Sequence, residues 1–261
     1  MIVSVGGDGT NNEVLSGFVD DAGCNRFPEA ELGLVHSGTG GDFLRHLGRR
    51  SPDQAIAALA EGPAAVIDYG VATYVDGHGR SATRPFLNVA SAGISGLVDY
   101  HIRRSNRWLG PTATYLFGSL RGIAEFLAKP VSITIDGGVP TELPLSLAVV
   151  ANGQYFGGGM WIAPRARCDD GLLEVLYTGG GSRLGLVGLL AKVFRGSHVD
   201  SPGVISARAR TIELRPIDPD DVVLLDLDGE QPGRLPARFH VHQAGLRVRA
   251  AGLPEPARTR A

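Results

Sequence analysis

The chain has 261 residues, a formal net charge of −2 and 43% hydrophobic residues. It is long enough for one large or two small domains, and its charge balance gives no electrostatic case for a nucleic acid partner. Two cysteines, Cys24 and Cys168, are too few for a disulfide framework and indicate a cytoplasmic protein. No apolar run of about 18 residues is present, so any membrane contact is expected to be peripheral.

The first glycine-rich loop directly follows a short apolar run. Ile2, Val3 and Val5 predict a short buried strand, after which the sequence GGDGT at residues 6–10 turns the chain into a helix expected from residue 11. Backbone N–H groups converge at such a turn and the helix dipole adds positive charge, so it predicts a phosphate-binding loop. Its aspartate, Asp8, is expected to serve Mg²⁺ or its waters rather than phosphate.

A second loop of the same kind ends the next predicted strand. Residues 32–35 form that strand, the sequence SGTGGD at residues 37–42 turns the chain, and a helix follows from Phe43. A further helix is expected after Ser51, so the order is βαβα, which predicts a parallel sheet. Either loop alone could be an ordinary tight turn. Two loops with a carboxylate each favour one shared nucleotide site at the carboxyl ends of adjacent strands.

From residue 65 onwards strands dominate. Many strands with few helices favour a sandwich-like second domain. The predicted fold class is therefore α/β plus all-β, with a partial α/β domain over residues 1–62, a β-sandwich over residues 63–242, and residues 243–261 as a segment that could return to the first domain. Strands are predicted at 66–74, 86–90, 131–135, 145–151, 172–177, 204–209, 211–215, 222–225 and 239–248, and helices at 94–104, 113–127 and 184–194.

Two later acidic clusters could carry chemistry. Asp226, Asp228 and Glu230 would share one face of an extended segment, beside a metal or a hydroxyl substrate, although a charged hairpin turn is the simpler alternative. The segment at residues 163–172 could hold a hard cation or form an ordinary Asp-Gly turn. A basic and aromatic patch could touch a membrane or could form a solvated helix end; it comprises Arg103, Arg104, Arg107 and Trp108.

These motifs together resemble the diacylglycerol kinase catalytic family, which includes bacterial soluble lipid kinases and sphingosine kinases. The resemblance rests on the order and approximate spacing of residues 6–10, 38–42, 152–159, 164–172 and 228–230. It implies a Rossmann-like nucleotide domain, a β-sandwich lipid-binding domain and an active site in the cleft between them. It also implies ATP and Mg²⁺ as cofactors, a membrane lipid as the acceptor, with diacylglycerol as the default, and peripheral association with the membrane.

The resemblance also implies roles for particular residues. Glu230 would be the general base for the lipid hydroxyl, with Asp228 beside it, while Asp8 and Asp42 would organise Mg²⁺. A separate structural Mg²⁺ would be held by the carbonyls of Arg167 and Leu172 and the carboxylate of Asp170. The expected contacts to ATP phosphates are Gly6, Gly7, Asp8, Gly9, Thr10, Asn11, Asn12 and Thr39.

Three departures from the family pattern leave alternatives open. The family usually has Asn at the position of Gly41 and often Pro at that of His36, and it carries a further nucleotide-binding segment before the first loop. The chain is thus expected to be N-terminally truncated, and could be a silent fragment that binds lipid or a partner, with a homodimer covering its exposed sheet edge. An NAD kinase-like enzyme is another alternative, but that family lacks counterparts of Asp42 and Glu230.

Overall fold

The computed structural model describes residues 1–37, 41–48, 51–104 and 111–249. Thr39, Arg107 and Trp108 lie outside the described residues. The first part of the chain alternates strands and helices: β1 (Ile2–Gly6), α1 (Asp8–Phe18), β2 (Glu31–His36), α2 (Asp42–His46) and α3 (Pro52–Glu61). As predicted, β1 and β2 are parallel neighbours, with Gly6 paired to His36.

Over residues 64–104 and 111–249 the chain is mostly strands, with three helices and a short 3-10 turn, Ser197–Asp200. The helices are α4 (Ile94–Arg104), α5 (Pro111–Glu125) and α6 (Arg183–Val193). The strands are β3 (Ala64–Asp76), β4 (Ser81–Phe86), β5 (Val89–Gly93), β6 (Lys129–Ile135), β7 (Thr141–Ala151), β8 (Tyr155–Phe156), β9 (Met160–Trp161), β10 (Leu173–Gly179), β11 (Val204–Ala209), β12 (Thr211–Pro216), β13 (Leu225–Leu227) and β14 (Gly233–Arg249).

Strand β14 joins the two parts of the sheet. Its middle pairs antiparallel with β12, its last residues, 247–249, pair parallel with β2, and β3 runs antiparallel beside it over most of its length. The result is a mixed sheet with a Rossmann-like first part and a β-sandwich-like second part, which confirms the predicted fold class. Residues 250–261 lie outside the described residues, and the division into domains at residue 62 stays a proposal.

The prediction that β1 is buried is wrong. Ile2, Val3 and Val5 are exposed, and in this strand only Ser4 and Gly6 are buried. The reason is position: among the described strands β1 pairs only with β2, so it lies at the edge of the sheet. An apolar run in the sequence indicates a strand but does not show how many neighbours cover it.

Some elements differ in extent from their prediction. Strand β4 and the short β8–β9 hairpin were not anticipated, and the predicted strand at residues 222–225 is replaced by β13, which begins at Leu225. The hairpin turns through three consecutive glycines with positive φ, Gly157, Gly158 and Gly159. No described helix is long and apolar enough to cross a membrane.

The sheet formed by β5, β7 and β10 has two differently used faces. On one face Ala148, Val150 and Val175 join the largest apolar cluster, inside the sandwich. On the other face Val149 and Leu176 join a second cluster, which α6 helps to cover. The same three strands thus support both the core and the cavity described below.

The sandwich core depends on one close approach of backbone to side chain. Gly70 pairs with Phe86, and a Cβ at position 70 would lie 2.0–2.4 Å from the Phe86 ring. Phe86 is fully buried and packs edge to face on Phe239, with ring centroids 6.3 Å apart. No larger residue fits at position 70 without moving this aromatic pair.

We expect Gly70→Ala to lower the free energy of unfolding by about 1–3 kcal/mol through overpacking of the core. Gly77→Ala is the matched control, since a Cβ there meets nothing within 4 Å. Chemical denaturation of both variants measures the difference. Equal stability of the two would contradict this description of the core.

Candidate active site

The two glycine-rich loops meet at one edge of the sheet. Because β1 and β2 are parallel and in register, both loops leave the sheet at the same end, and Ser37 N–H donates to the Gly6 carbonyl at 3.0 Å. A Cβ at Gly6 would lie 2.6 Å from the Thr10 Cβ, so this turn requires glycine. Helix α1 begins at Asp8, earlier than predicted, which places this aspartate in the first turn of the helix.

Asp8 and Asp42 form a close acidic pair. The Asp8 carboxylate accepts hydrogen bonds from Asp42 N–H at 3.1 Å and Phe43 N–H at 3.2 Å, so it caps the start of α2. Asp42 is buried, and its Oδ2 accepts a hydrogen bond from Gly158 N–H at 2.8 Å. Within the described part of the chain its Oδ1 has no hydrogen-bond donor, and Arg45 Nε lies 3.8 Å away.

This pair is short of positive charge. Burial raises the pKa of Asp42 to about 6, and the Asp8 charge adds to the effect. Burial also raises the pKa of Asp8, against the opposing effect of its two backbone donors. A carboxylate oxygen without a donor, next to a second carboxylate, fits the hard-oxygen ligand set that Mg²⁺ prefers.

Asp228 holds the third motif in place. Its Oδ1 accepts from Asn88 N–H at 3.0 Å and Val89 N–H at 2.9 Å, and its Oδ2 accepts from Leu87 N–H at 2.7 Å and the Asn12 side chain at 2.9 Å. Burial raises the pKa of Asp228 to about 6, while these four N–H donors favour the ionised form. Because all four donors lie in other segments of the chain, these bonds fix the position of the turn that carries Glu230.

Glu230 lies over the first loop and is held by Arg84. Arg84 Nη2 contacts Glu230 Oε2 at 2.8 Å, and Arg84 Nε donates to Asn12 Oδ1 at 2.7 Å. The other Glu230 oxygen, Oε1, lies 3.5 Å from where a Cβ at Gly9 would stand. Glu230, Asp228, Asn12 and Arg84 therefore form one connected network beside the loop.

Sequence reasoning missed Arg84. It is one arginine among many in a strand that was not predicted, and no motif surrounds it. A signal was nevertheless available: the first loop and the Asp226–Glu230 segment carry several carboxylates and no lysine or arginine of their own, so a basic residue from elsewhere was required.

The two departures in the second loop form one packing unit. A Cβ at Gly41 would lie 2.8 Å from His36 Nδ1 and 2.9 Å from its Cγ. The His36 ring thus occupies the space that a side chain at position 41 would need. Where the family has an asparagine side chain, this chain places the imidazole of His36, the last residue of β2, close to Asp8.

The loop expected to hold a structural Mg²⁺ is closed by arginines in this structure. The Asp170 carboxylate contacts the guanidinium of Arg208 and accepts a hydrogen bond from Leu172 N–H at 3.1 Å. Arg167 Nε and Nη2 each donate to Asp169, at 2.9 Å. In this arrangement the side chains do not fit a cation, because Mg²⁺ would have to displace the Arg208 guanidinium from the Asp170 carboxylate. The cation at Arg167, Asp170 and Leu172 stays a prediction.

A cavity of about 630 Å³ extends from the two loops into the second part of the chain. Its charged end is lined by Asp8, Asp42 and Glu230. The rest is mostly aliphatic, between the β5–β7–β10 sheet on one side and helices α4, α5 and α6 on the other. Among the described residues no three His, Cys, Asp or Glu side chains gather as a metal site, so a cation here would also need backbone, water or phosphate oxygens.

We expect Asp42→Asn to stabilise the protein at pH 7.5 in buffer without Mg²⁺ or nucleotide. The Asp42 pKa is about 6 when folded and near its ordinary 3.8 when unfolded, so the folded state binds more protons between these values. Stability therefore falls as pH rises from about 4 through about 6, by on the order of 1–3 kcal/mol. Asparagine removes the charge and can still accept the Gly158 hydrogen bond.

Thermal unfolding between pH 4 and 8 provides the measurement. The advantage of Asp42→Asn should shrink towards the acidic end of this range. Asp53→Asn, at an exposed position in α3, is the control and should change little. A variant less stable than the parent protein at pH 7.5 would refute the idea that this carboxylate is poorly compensated.

Two families match consecutive parts of the chain. Residues 1–72 match the diacylglycerol kinase catalytic domain, and residues 88–250 match the YegS C-terminal NAD kinase beta sandwich-like domain. A diacylglycerol kinase from Mycobacterium tuberculosis (strain ATCC 25618 / H37Rv) is 30% identical over 249 residues, which cover 95% of this chain and 75% of the relative. A diacylglycerol kinase from Bacillus subtilis (strain 168) is 28% identical over 262 residues, which cover 98% and 80%.

Solved structures share the fold. A candidate diacylglycerol kinase from Bacillus anthracis (strain Sterne) superposes with a TM-score of 0.73 at 24% identity, over 95% of this chain and 76% of that one. Yeast NADH kinase bound to NADH superposes with a TM-score of 0.51 at 13% identity, over 96% and 61%. At these identities the structures support the fold alone. Together with the 30% identity to the mycobacterial relative, the matched families show that the chain belongs to the diacylglycerol kinase family.

Proposed function

We infer that the protein is an ATP-dependent lipid kinase that transfers the γ-phosphoryl group to a lipid hydroxyl, with a diacylglycerol-like acceptor as the default. The observation that carries this is the cavity, which has carboxylates at one end and aliphatic walls along the rest. A hydroxyl placed among the carboxylates would leave a hydrocarbon chain in the aliphatic part. A dinucleotide acceptor, as in the NAD kinase-like alternative, would need polar partners along the same walls.

The loops supply what ATP would require. The turn at residues 6–10 and the start of α1 present backbone N–H groups to phosphate, and the second loop lies directly beside them. Asp8 and Asp42 are the residues that would hold Mg²⁺, which when bound neutralises charge on the transferred phosphoryl group. Asp42 would contribute its Oδ1, which has no hydrogen-bond donor among the described residues.

Glu230 is the proposed acceptor of the hydroxyl proton. Arg84 binds Oε2 of Glu230, so the other oxygen, Oε1, lies towards the first loop. The lipid oxygen forms a bond to the γ-phosphorus, the bond from that phosphorus to the ADP oxygen breaks, and the hydroxyl proton passes to Oε1. A carboxylate is a weak base for an alcohol, so Glu230 mainly orients the hydroxyl and takes the proton late. Asp228 and Asn12 position this arrangement.

A membrane contact would be made by α5 and α6. On α5, Phe117 is 62% exposed, and on α6, Leu184 is 85% exposed. The same helices line the cavity on their inner side through Ile123, Leu186 and Leu190. Helices that are apolar on both sides can face acyl chains in the cavity and in a bilayer. We therefore propose a peripheral contact here, next to the entry of the lipid.

We expect Glu230→Gln to lower phosphorylation of lipid vesicles by about 10²–10⁴-fold while ATP affinity stays nearly unchanged, because the variant loses a proton acceptor but no phosphate contact. The assay uses the 261-residue chain, Mg²⁺, radiolabelled ATP and separate diacylglycerol, sphingoid base, ceramide and phosphatidylglycerol acceptors. Glu142→Gln, exposed at the start of β7, is the control. A near-normal rate for Glu230→Gln would remove Glu230 from this role.

The same assay tests the alternatives. NAD is included as an acceptor, and its phosphorylation in preference to every lipid would favour the NAD kinase-like enzyme. Failure to phosphorylate any acceptor, with lipid vesicles still bound, would favour a silent lipid-binding protein and overturn the proposed function.

We expect Arg84→Ala to lower kcat by about 10–100-fold with little change in KM for ATP, because Glu230 loses the partner that fixes its orientation. Guanidinium ion added at millimolar concentration should restore part of the rate, which a purely structural defect would not allow. Arg80→Ala, at an exposed turn where Arg80 pairs with Asp76 four residues earlier, is the control. An unchanged kcat would contradict a positioning role.

A further inference from the structure

The aliphatic part of the cavity has a definite far end. The catalytic turn follows β13, and sheet neighbours proceed from β13 to β5, β7, β10 and β11. Val204, at the start of β11, lines the cavity at the last of these strands, together with Val193 of α6 and His198 of the 3-10 turn. The cavity therefore extends across the full width of this part of the sheet.

The width of the sheet sets the length of the hydrocarbon chain that the cavity can hold. Four strand spacings separate β13 from β11, which is about 19 Å at about 4.8 Å per spacing. An extended hydrocarbon advances about 1.3 Å per carbon, given single-bond lengths like those of the backbone. A chain of about 16 carbons would thus reach from the catalytic end to the far end.

The volume sets the number of chains. At about 30 Å³ for a group the size of a water molecule, 630 Å³ accommodates about 20 heavy atoms. That suffices for a small polar head and one such chain. A diacylglycerol with two chains of this length has about 40 heavy atoms, about twice the capacity, whereas ligand sites normally enclose most of their ligand.

The far end is uncharged. His198 Nε2 is 2.8 Å from the Ile162 carbonyl, which this nitrogen satisfies as a donor in the neutral ring. Burial lowers the pKa of His198, which keeps the ring neutral. Val193 and Val204 complete this end and make most of it apolar, which suits a terminal methyl group, while His198 Nδ1 is buried without a hydrogen-bond partner among the described residues.

We propose that the cavity holds one acyl chain of about 16 carbons and that the second chain of a diacyl acceptor stays outside. The end of the bound chain would contact Val193, His198 and Val204. This rests on the proposed lipid kinase function. The outer chain would lie in the bilayer against the exposed apolar side of α6, where Leu184 and Val187 face outwards. The acceptor is thus selected by the length of a single chain.

The test fills the far end. Val204→Phe adds bulk inside the cavity, whereas Ile205→Phe, at the next position on the strand and 44% exposed, adds the same ring outside it. Leu190→Phe and its exposed neighbour Ala191→Phe repeat the comparison on α6, should the first variant fold poorly. Thermal unfolding checks that each variant is folded.

Each protein is assayed with monoacylglycerols and with mixed-chain diacylglycerols that carry octanoyl, dodecanoyl, palmitoyl or stearoyl chains. For Val204→Phe we expect kcat/KM to fall about tenfold or more for palmitoyl and to stay within about twofold for dodecanoyl acceptors, since each methylene left unburied loses affinity. Ile205→Phe should match the parent protein. For a diacyl acceptor, lengthening one of its two chains should change kcat/KM, and lengthening the other should not.

Displacement of a fluorescent fatty acid by the same monoacylglycerols gives a readout without catalysis. If the protein phosphorylates none of these lipids, the proposed function fails, and the displacement series still tests the cavity. If lipids are phosphorylated or bound with no dependence on chain length, or if the inner and outer phenylalanine variants behave alike, the single-chain inference is overturned.

Discussion

The arrangement of the active site depends on the hydrogen bonds that the Asp228 carboxylate accepts from Asn12, Leu87, Asn88 and Val89. They connect α1, which begins at the first glycine-rich loop, with the turn after β13 and the start of β5. Burying a carboxylate costs free energy unless hydrogen bonds compensate the lost water, and these four donors together provide that compensation for Asp228. In this way the Asp228 carboxylate determines where Glu230 lies relative to the first loop.

Charge in the site is distributed unevenly, and this is consistent with a protein built for a charged ligand. Glu230 has Arg84 Nη2 at 2.8 Å, whereas the nearest described guanidinium nitrogen to the Asp42 carboxylate is Arg45 Nε, at 3.8 Å. Because Arg84 balances its charge, the Glu230 carboxylate can keep its orientation without a bound cation. The uncompensated pair is the part of the site that gains most from a cation, and functional sites often keep such unfavourable charge at the expense of stability.

Much of the fold was readable from the sequence, because it rests on local signals. Glycine turns after apolar runs predicted β1, β2 and the two loops, and dense strand signals predicted the sandwich. The two loops were expected to meet because they follow adjacent parallel strands, and the resemblance added the Asp228–Glu230 turn; the structure brings all three together. Arg84, the covering of Gly41 by His36 and the pairing of Asp170 with Arg208 were not predictable. The contacts of Arg84 and Arg208 join segments far apart in the sequence and depend on the register of β4 and β11, whereas that of His36 with Gly41 depends on how the chain turns between β2 and α2.

The long strand β14 has a mechanical consequence. Because it pairs with β12 in the sandwich, with β2 in the nucleotide part and with β3 along both, the two parts share one continuous hydrogen-bonded sheet. A hinge between them would have to break those ladders, so closing of the whole molecule around its substrates is costly. The helical cover, α5 and α6, is held by side-chain packing rather than by strand pairing, so opening the cavity costs less at these helices than through the sheet.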